Sequence, residues 1–212
     1  MNRTLSLSVL SSLLSATAVV ASAAAAPVYL NQDNMTVVVG PGTSSGTFHN
    51  TFNSGATITK VIDAPSADAE EFHDQSTHIW FTADDVGGGL ELVFEFDASY
   101  DIDTLHFWNY TSEGYDVDNV DFFFFNAGGA QVGALSVQPD LGSSGGIEAQ
   151  DIALAAPLNV KSVTAFLTGS NREVDFQNIG FSAELSQVPS PAASGLLLAG
   201  LITATGRRRS RG

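Results

Sequence analysis

Carboxylates are the most plentiful reactive side chains in this chain, and six of them fall in two tight groups. Asp97, Asp101 and Asp103 stand in "DASYDID", and Asp116, Asp118 and Asp121 stand in "YDVDNVD". The D-x-D spacing invites a divalent cation, because hard cations collect six to eight oxygen ligands. An EF-hand loop needs Gly at its sixth position and Glu at its twelfth, and neither Asp101 nor Asp116 begins such a run. On a strand, alternate residues share a face, so the same spacing also describes a solvated edge that discourages sheet-to-sheet aggregation.

Aromatic side chains offer a second kind of chemistry. A flat apolar ring stacks on the C–H face of a sugar while polar neighbours take its hydroxyls. Trp80, Trp108, Tyr110 and Tyr115 are the candidate rings, with Asn109, Glu113 and Asp116 as hydrogen-bonding partners. Tyr110 and Tyr115 flank the turn "TSEG" and are expected where a ligand can reach them. Trp80 and Trp108 lie in strand-like runs, where a packing role is the commoner one.

The four histidines, His49, His73, His78 and His106, form no H-x-H or H-x-x-x-H pair and have no cysteine companion, which argues against zinc. No G-x-S-x-G, P-loop or dinucleotide fingerprint occurs. Paired carboxylates for glycoside hydrolysis are a matter of three-dimensional separation. A small single body nevertheless fits binding better than catalysis, and no enzyme activity is expected.

The elements that must position these residues read as strands throughout. "LELVFEF" (Leu90–Phe96) alternates, with Leu90, Leu92, Phe94 and Phe96 on one face. "VDFFFFN" (Val120–Asn126) reads as a strand covered on both faces. "VKSVTAFLTG" alternates through Val163, Ala165 and Leu167, and "VDFQNIGFSAEL" reads as a last strand pair with a bend near Gly180. "MTVVVG" and "ATITKVI" are shorter strand candidates. Gly-rich turns such as "GPGTSSG", "DDVGGG", "NAGGA" and "LGSSGGIE" separate the runs, and no convincing helical period occurs in the body. The expected fold is all-β, an antiparallel β-sandwich or jelly roll forming one domain over 28–187.

Charge narrows the partners. All 23 acidic residues of the 212-residue chain lie between Asp33 and Glu184, where only Lys60, Lys161 and Arg172 are basic, a net charge of −20 for that span. Such a body repels phosphate backbones, so no nucleic-acid partner is expected. There is no cysteine, so stability must come from the core and any bound metal rather than from disulfides.

From His73 to Glu184 the sequence resembles the galactose-binding-like jelly rolls of the discoidin and coagulation-factor type C superfamily. "DQSTHIW" (Asp74–Trp80) is similar to the family's early Asp-Gly…Thr-x-Trp segment, with Gln75 where Gly is usual. "LELVFEFDASYDIDTLHFWNY", "YDVDNVDFFFFN" and the closing "VDFQNIGFSAEL" resemble its successive strands. The resemblance implies binding of glycans, lipid head groups or proteins through loops at one end of the sandwich. It also implies a structural calcium held by Asp74, Thr77 and Glu184, with carbonyls near Gln75 and Ser76.

The two ends carry addresses. Residues 1–25 hold Arg3, an apolar stretch and a small-residue A-x-A run, the parts of a secretory signal peptide with an N-terminal signal helix. Residues 188–212, "VPSPAASGLLLAGLITATGRRRSRG", combine a short motif, a 14-residue apolar run from Ala192 to Thr205 and an arginine cluster. A comfortable spanning helix needs about 20 residues, so the short C-terminal hydrophobic helix is expected to meet the membrane only transiently. The layout resembles the PEP-CTERM sorting tail of Gram-negative bacteria, which an exosortase-type enzyme processes. The residues that carry it are Val188, Pro189, Ser190 and Pro191, with Ser190 where Glu is typical, and Arg207, Arg208 and Arg209. The expectation is an exported cell-surface or matrix protein that binds a glycan without catalysis. The alternatives are a purely structural surface protein and a small carbohydrate-active enzyme.

Overall fold

The alternating run at Leu90 opens a strand of 20 residues that sits at the middle of one continuous nine-stranded sheet. The computed structural model describes residues 26–49, 58–72 and 78–186. The expected signal helix over 1–25, the sorting motif Val188–Pro191 with Arg207–Arg209, and the calcium candidates Asp74 and Thr77 lie outside the described residues.

In chain order the strands are β1 (Pro27–Leu30), β2 (Met35–Val39), β3 (Gly46–His49), β4 (Ile79–Ala83), β5 (Leu90–Asn109), β6 (Asn119–Phe125), β7 (Gln131–Val137), β8 (Gln150–Thr168) and β9 (Glu173–Leu185). All the strand pairs are antiparallel, as hairpin-rich connections require. Leu90–Glu95 of β5 pairs with Ser162–Leu167 of β8, and Tyr100–Phe107 pairs with Gln150–Val160, with register shifts between these stretches. The first half of β5 also carries β2, and its second half carries β9. β9 takes β4 at its start and β1 near its end. β6 and β7 extend the same sheet beyond β8. The strands together form the antiparallel, jelly-roll-like sandwich that the alternation implies.

The core lies between the layers. Leu90, Leu92, Phe94 and Phe96 are buried as their alternation predicts, and Phe181 of β9 meets Phe94 and Phe96 edge-on at 5.7 and 5.4 Å. Such edge-to-face pairs are worth about 0.5–1.5 kcal/mol beyond their area.

Three expectations change. The phenylalanine run of β6 is not covered on both faces: Phe122 and Phe124 are buried while Phe123 and Phe125 are only half-buried. A β-favouring type on the outer face imitated a two-sided core strand. "ATITKVI" supplies no strand; Ile58–Ile62 forms a 3₁₀ turn that sinks Val61 and Ile62 into the core. "VDFQNIGFSAEL" is one continuous strand, and its irregularity falls where Asn109 pairs with Phe176 but Trp108 with Asn178. The bulged residue is Gln177, not Gly180. Gly180 instead admits a close neighbour: a Cβ there would stand 2.3 Å from the Tyr29 hydroxyl oxygen. Gly129, at φ 76° in the β6–β7 turn, supplies the left-handed geometry that L side chains resist.

Candidate functional site

The N-terminal end of β9 gathers the aromatic residues singled out in the sequence. Trp80 sits on β4 opposite Asp175, because the register pairs Ile79 with Phe176. Tyr110 follows the last residue of β5, and Tyr115 lies in the loop before β6. The ring of Trp80 stands 6.1 Å from that of Tyr115, Tyr115 stands 6.5 Å from Tyr110, Tyr110 stands 6.0 Å from His78, and His78 stands 6.2 Å from Trp80. The circuit closes on itself, and successive planes cross at 71–88°. His49 extends it, its ring 4.7 Å from Trp80. Tyr115 is 46% exposed, Trp80 and Tyr110 are half-buried, and His78 is buried. The circuit is therefore open to solvent on its Trp80–Tyr115–Tyr110 side.

Acidic groups flank these rings. Trp80 Nε1 donates to Glu173 Oε2 at 2.7 Å. Asp175 is 2% exposed, and its Oδ1 has no hydrogen-bond partner among the described residues, with His78 Nδ1 at 3.7 Å. Burial, reinforced by the charges of Glu173 and Asp116, pushes the Asp175 carboxyl up to about 8. Burial, together with Asp175 and Tyr115, raises the phenol of Tyr110 as well. Asp116 is raised by burial and by Asp118, against hydrogen bonds from the Gly114 amide, its own amide and the Asn109 side chain.

Of the four ligand candidates, Tyr110, Tyr115 and Glu113 reach this end of the molecule, and Asn109 lies beneath them. The Asn109 amide donates to the carbonyls of Val117 and Asp140 and accepts from the amides of Tyr110 and Val117. Its hydrogen-bonding capacity is used in shaping the loop, so Asn109 positions Tyr110 instead of offering itself to a ligand. Exposed Glu113 comes together with Asp116 and Asp118, their oxygens within 4.8 Å of one another. Trp108 has the packing role, fully buried with its Nε1 donating to the Ala69 carbonyl at 2.8 Å. The other D-x-D pair is not at a sheet edge: Asp101 and Asp103 lie on β5, which is paired on both sides, and Asp101 accepts from Asn159 and Ser186.

Of the calcium set implied by the family resemblance, Glu184 faces Asp101 near the end of β9, while Asp74 and Thr77 lie outside the described residues.

A further polar set lies on β5, β8 and β9, at residues that the sequence alone does not single out. His106 Nδ1 lies 2.6 Å from Asp151 Oδ1, and its Nε2 lies 2.8 Å from Ser182 Oγ. The order is that of a nucleophilic triad. The backbone of Ser182 is paired with Tyr29 on one side and Thr104 on the other, and the Asp151 side chain is 67% exposed. Amides held in a ladder cannot cradle an oxyanion. The set ties β5, β8 and β9 together. Residues 106, 151 and 182 are too far apart in sequence for any spacing rule to connect them.

No protein-family model matches the chain, and no curated protein matches it. Solved structures do resemble it. The module CpGH89CBM32-5 from Clostridium perfringens, solved with GalNAc-β-1,3-galactose, aligns over 73% of this chain and 99% of its own at 11% identity and a TM-score of 0.51. An F5/8 type C domain from Bacteroides fragilis aligns over 74% and 97% at 10% identity and 0.49. The family 32 carbohydrate-binding module of C. perfringens NanJ, solved with galactose, aligns over 74% and 99% at 11% identity and 0.48. At these identities the likeness is one of fold: the described residues form an antiparallel, jelly-roll-like sandwich of the kind seen in the CpGH89CBM32-5 module.

Proposed function

We propose that this chain is an exported, surface-sorted protein whose sandwich binds glycans and performs no catalysis. The observation that carries the reading is the open aromatic surface of Trp80, Tyr110 and Tyr115 at one end of the sandwich, bordered by Glu113, Asp116 and Glu173. Rings of this kind cover the C–H faces of a sugar, and carboxylates beside them accept its hydroxyls. The CpGH89CBM32-5 module, which shares the fold, was solved with a disaccharide. Screening the purified body on a glycan array, with and without calcium, tests the reading. Binding that disappears in Trp80→Ala and Tyr115→Ala supports it, and an array without any binding favours the rival, a purely structural surface protein.

Export rests on the signal-like residues 1–25, and sorting on Val188–Pro191 with the arginines at 207–209. An exosortase-type enzyme of a Gram-negative host would be the processing partner, and the destination the cell surface or extracellular matrix. Mass spectrometry of the mature secreted protein tests this part: tail peptides from 192–212 should be missing. A structural calcium is proposed at Asp74, Thr77 and Glu184, as the family resemblance implies.

A further inference from the structure

The closed circuit of rings at the start of β9 has the dimensions of a box for a cation. We propose that Trp80, Tyr115, Tyr110 and His78, above the buried Asp175, bind an ammonium group, so that the ligand class of this site is a glycan bearing free or alkylated amino groups. The inference rests on the glycan-binding reading and narrows it.

Two independent observations carry it. The first is the arrangement of the rings. Four centroids linked at 6.0–6.5 Å, with neighbouring planes nearly perpendicular, are disposed like the walls of a box. The centre of such a box lies roughly 4–5 Å from each ring, inside the reach of about 6 Å over which a ring face attracts a cation. The second is Asp175. A carboxyl that is 2% exposed, with one oxygen lacking any hydrogen-bond partner among the described residues, is costly to keep. An ammonium group donates up to three hydrogen bonds and carries the opposite charge, so it would satisfy that oxygen.

The wider surface agrees in sign. Glu173, Asp116, Glu113 and Asp118 surround the rings. The three cations of the body are engaged elsewhere: Lys60 with Asp63, Lys161 with the Phe96 carbonyl, and Arg172 with the Asp84 carbonyl. With a net charge of −20 between Asp33 and Glu184, the field disfavours uronic or sulfated polymers and draws in basic ones. The groups facing Asp175 are His78, Glu173, Asp116 and Tyr110. Since its carboxyl is held largely protonated when the site is empty, capture of an ammonium should release a proton.

Calorimetric titration of the full chain at pH 5.5, where the amines of the ligand are already protonated, tests the proposal with three probes: a glucosamine tetramer, the N-acetylglucosamine tetramer of equal length, and tetramethylammonium chloride. The expected result is binding of the glucosamine tetramer at least tenfold tighter than the acetylated one, weakening with salt. Proton release should appear as a heat that depends on the ionisation enthalpy of the buffer. Tyr115→Leu, at an exposed position, should abolish most of the preference, and Asp175→Asn should remove the buffer dependence. Equal affinity for both tetramers would overturn the ammonium inference and leave glycan binding standing. Binding of tetramethylammonium without either tetramer would support the box and overturn its glycan ligand. Binding of none of the three would overturn the box.

Discussion

The indole of Trp80 is held by Glu173: Nε1 donates at 2.7 Å to the same Oε2 that accepts the Thr82 hydroxyl at 2.6 Å. Thr82 is the cross-strand partner of Glu173. One carboxylate thus locks the ring of the proposed ligand surface to the neighbouring strand. Hydrogen bonds to charged groups contribute about 1.5–3 kcal/mol each. Glu173→Ala should free the indole, red-shift its emission and weaken glycan binding by roughly fivefold or more, since an unlocked ring must be ordered on binding. Glu173→Gln keeps an acceptor and should retain most of the affinity. Equal affinities in the wild type and Glu173→Ala would show that the ring needs no lock.

Asn109 is expected to matter for stability. Its buried amide closes four hydrogen bonds to the backbone of the 110–117 loop and to Asp140. Asn109→Ala would strand several of these partners and should cost about 2–4 kcal/mol in urea unfolding.

Asp175 sets a pH dependence whose sign is fixed. Its carboxyl titrates near 8 in the folded chain, against about 3.9 when unfolded. Between those values the native state holds a proton that the unfolded state has released. The contribution of Asp175 to stability is therefore fully present below about pH 4 and lost progressively toward about pH 8, at up to about 1.4 kcal/mol per pH unit. Melting curves at fixed ionic strength should show this decline, and Asp175→Asn should flatten it. An unchanged slope in the variant would assign the decline to other groups.

At Gly180 a methyl group would meet the Tyr29 ring, with the hydroxyl oxygen 2.3 Å and two ring carbons 2.7 Å away. Gly180→Ala should displace β1 and destabilise by about 1–3 kcal/mol. Combined with Tyr29→Ala, the second substitution should cost much less than it does alone, which a double-mutant cycle reads directly.

Calcium, if held by Asp74, Thr77 and Glu184, should raise the melting midpoint relative to a chelated sample. Asp74→Asn and Glu184→Gln should each remove that rise. An intact rise in Glu184→Gln would take that residue out of the site.

What the sequence revealed followed physical periodicity. Alternation at Leu90–Phe96 and Val163–Leu167 names core-facing residues because a strand has a period of two. It failed where composition outvoted position: Phe123 and Phe125 are strand-formers on an outer face, and Ile58–Ile62 is apolar yet tightly turned. Tyr110 and Tyr115 were legible as loop aromatics beside a turn. Asp175 was not, because it meets Trp80 only through the pairing of β4 with β9, a register that no local pattern specifies, and the contact of His78 with Tyr110 joins segments more than 30 residues apart. Asn109 carried no signal for its role beneath the loop, since four backbone groups of Tyr110, Val117 and Asp140 define it.

β9 runs from the ring circuit by Asp175 to its last residue, Leu185. A pull between a captured ligand and the segment after Leu185 would run along the axis of this strand. β9 is paired with β5 from Phe176 to Leu185 and with β1 from Phe181 to Glu184, and antiparallel bonds lie across the strands. Tension would load that ladder in shear, so many bonds must yield together instead of peeling one by one. If the ring circuit holds a ligand and the segment after Leu185 an attachment, the load would be shared across this ladder.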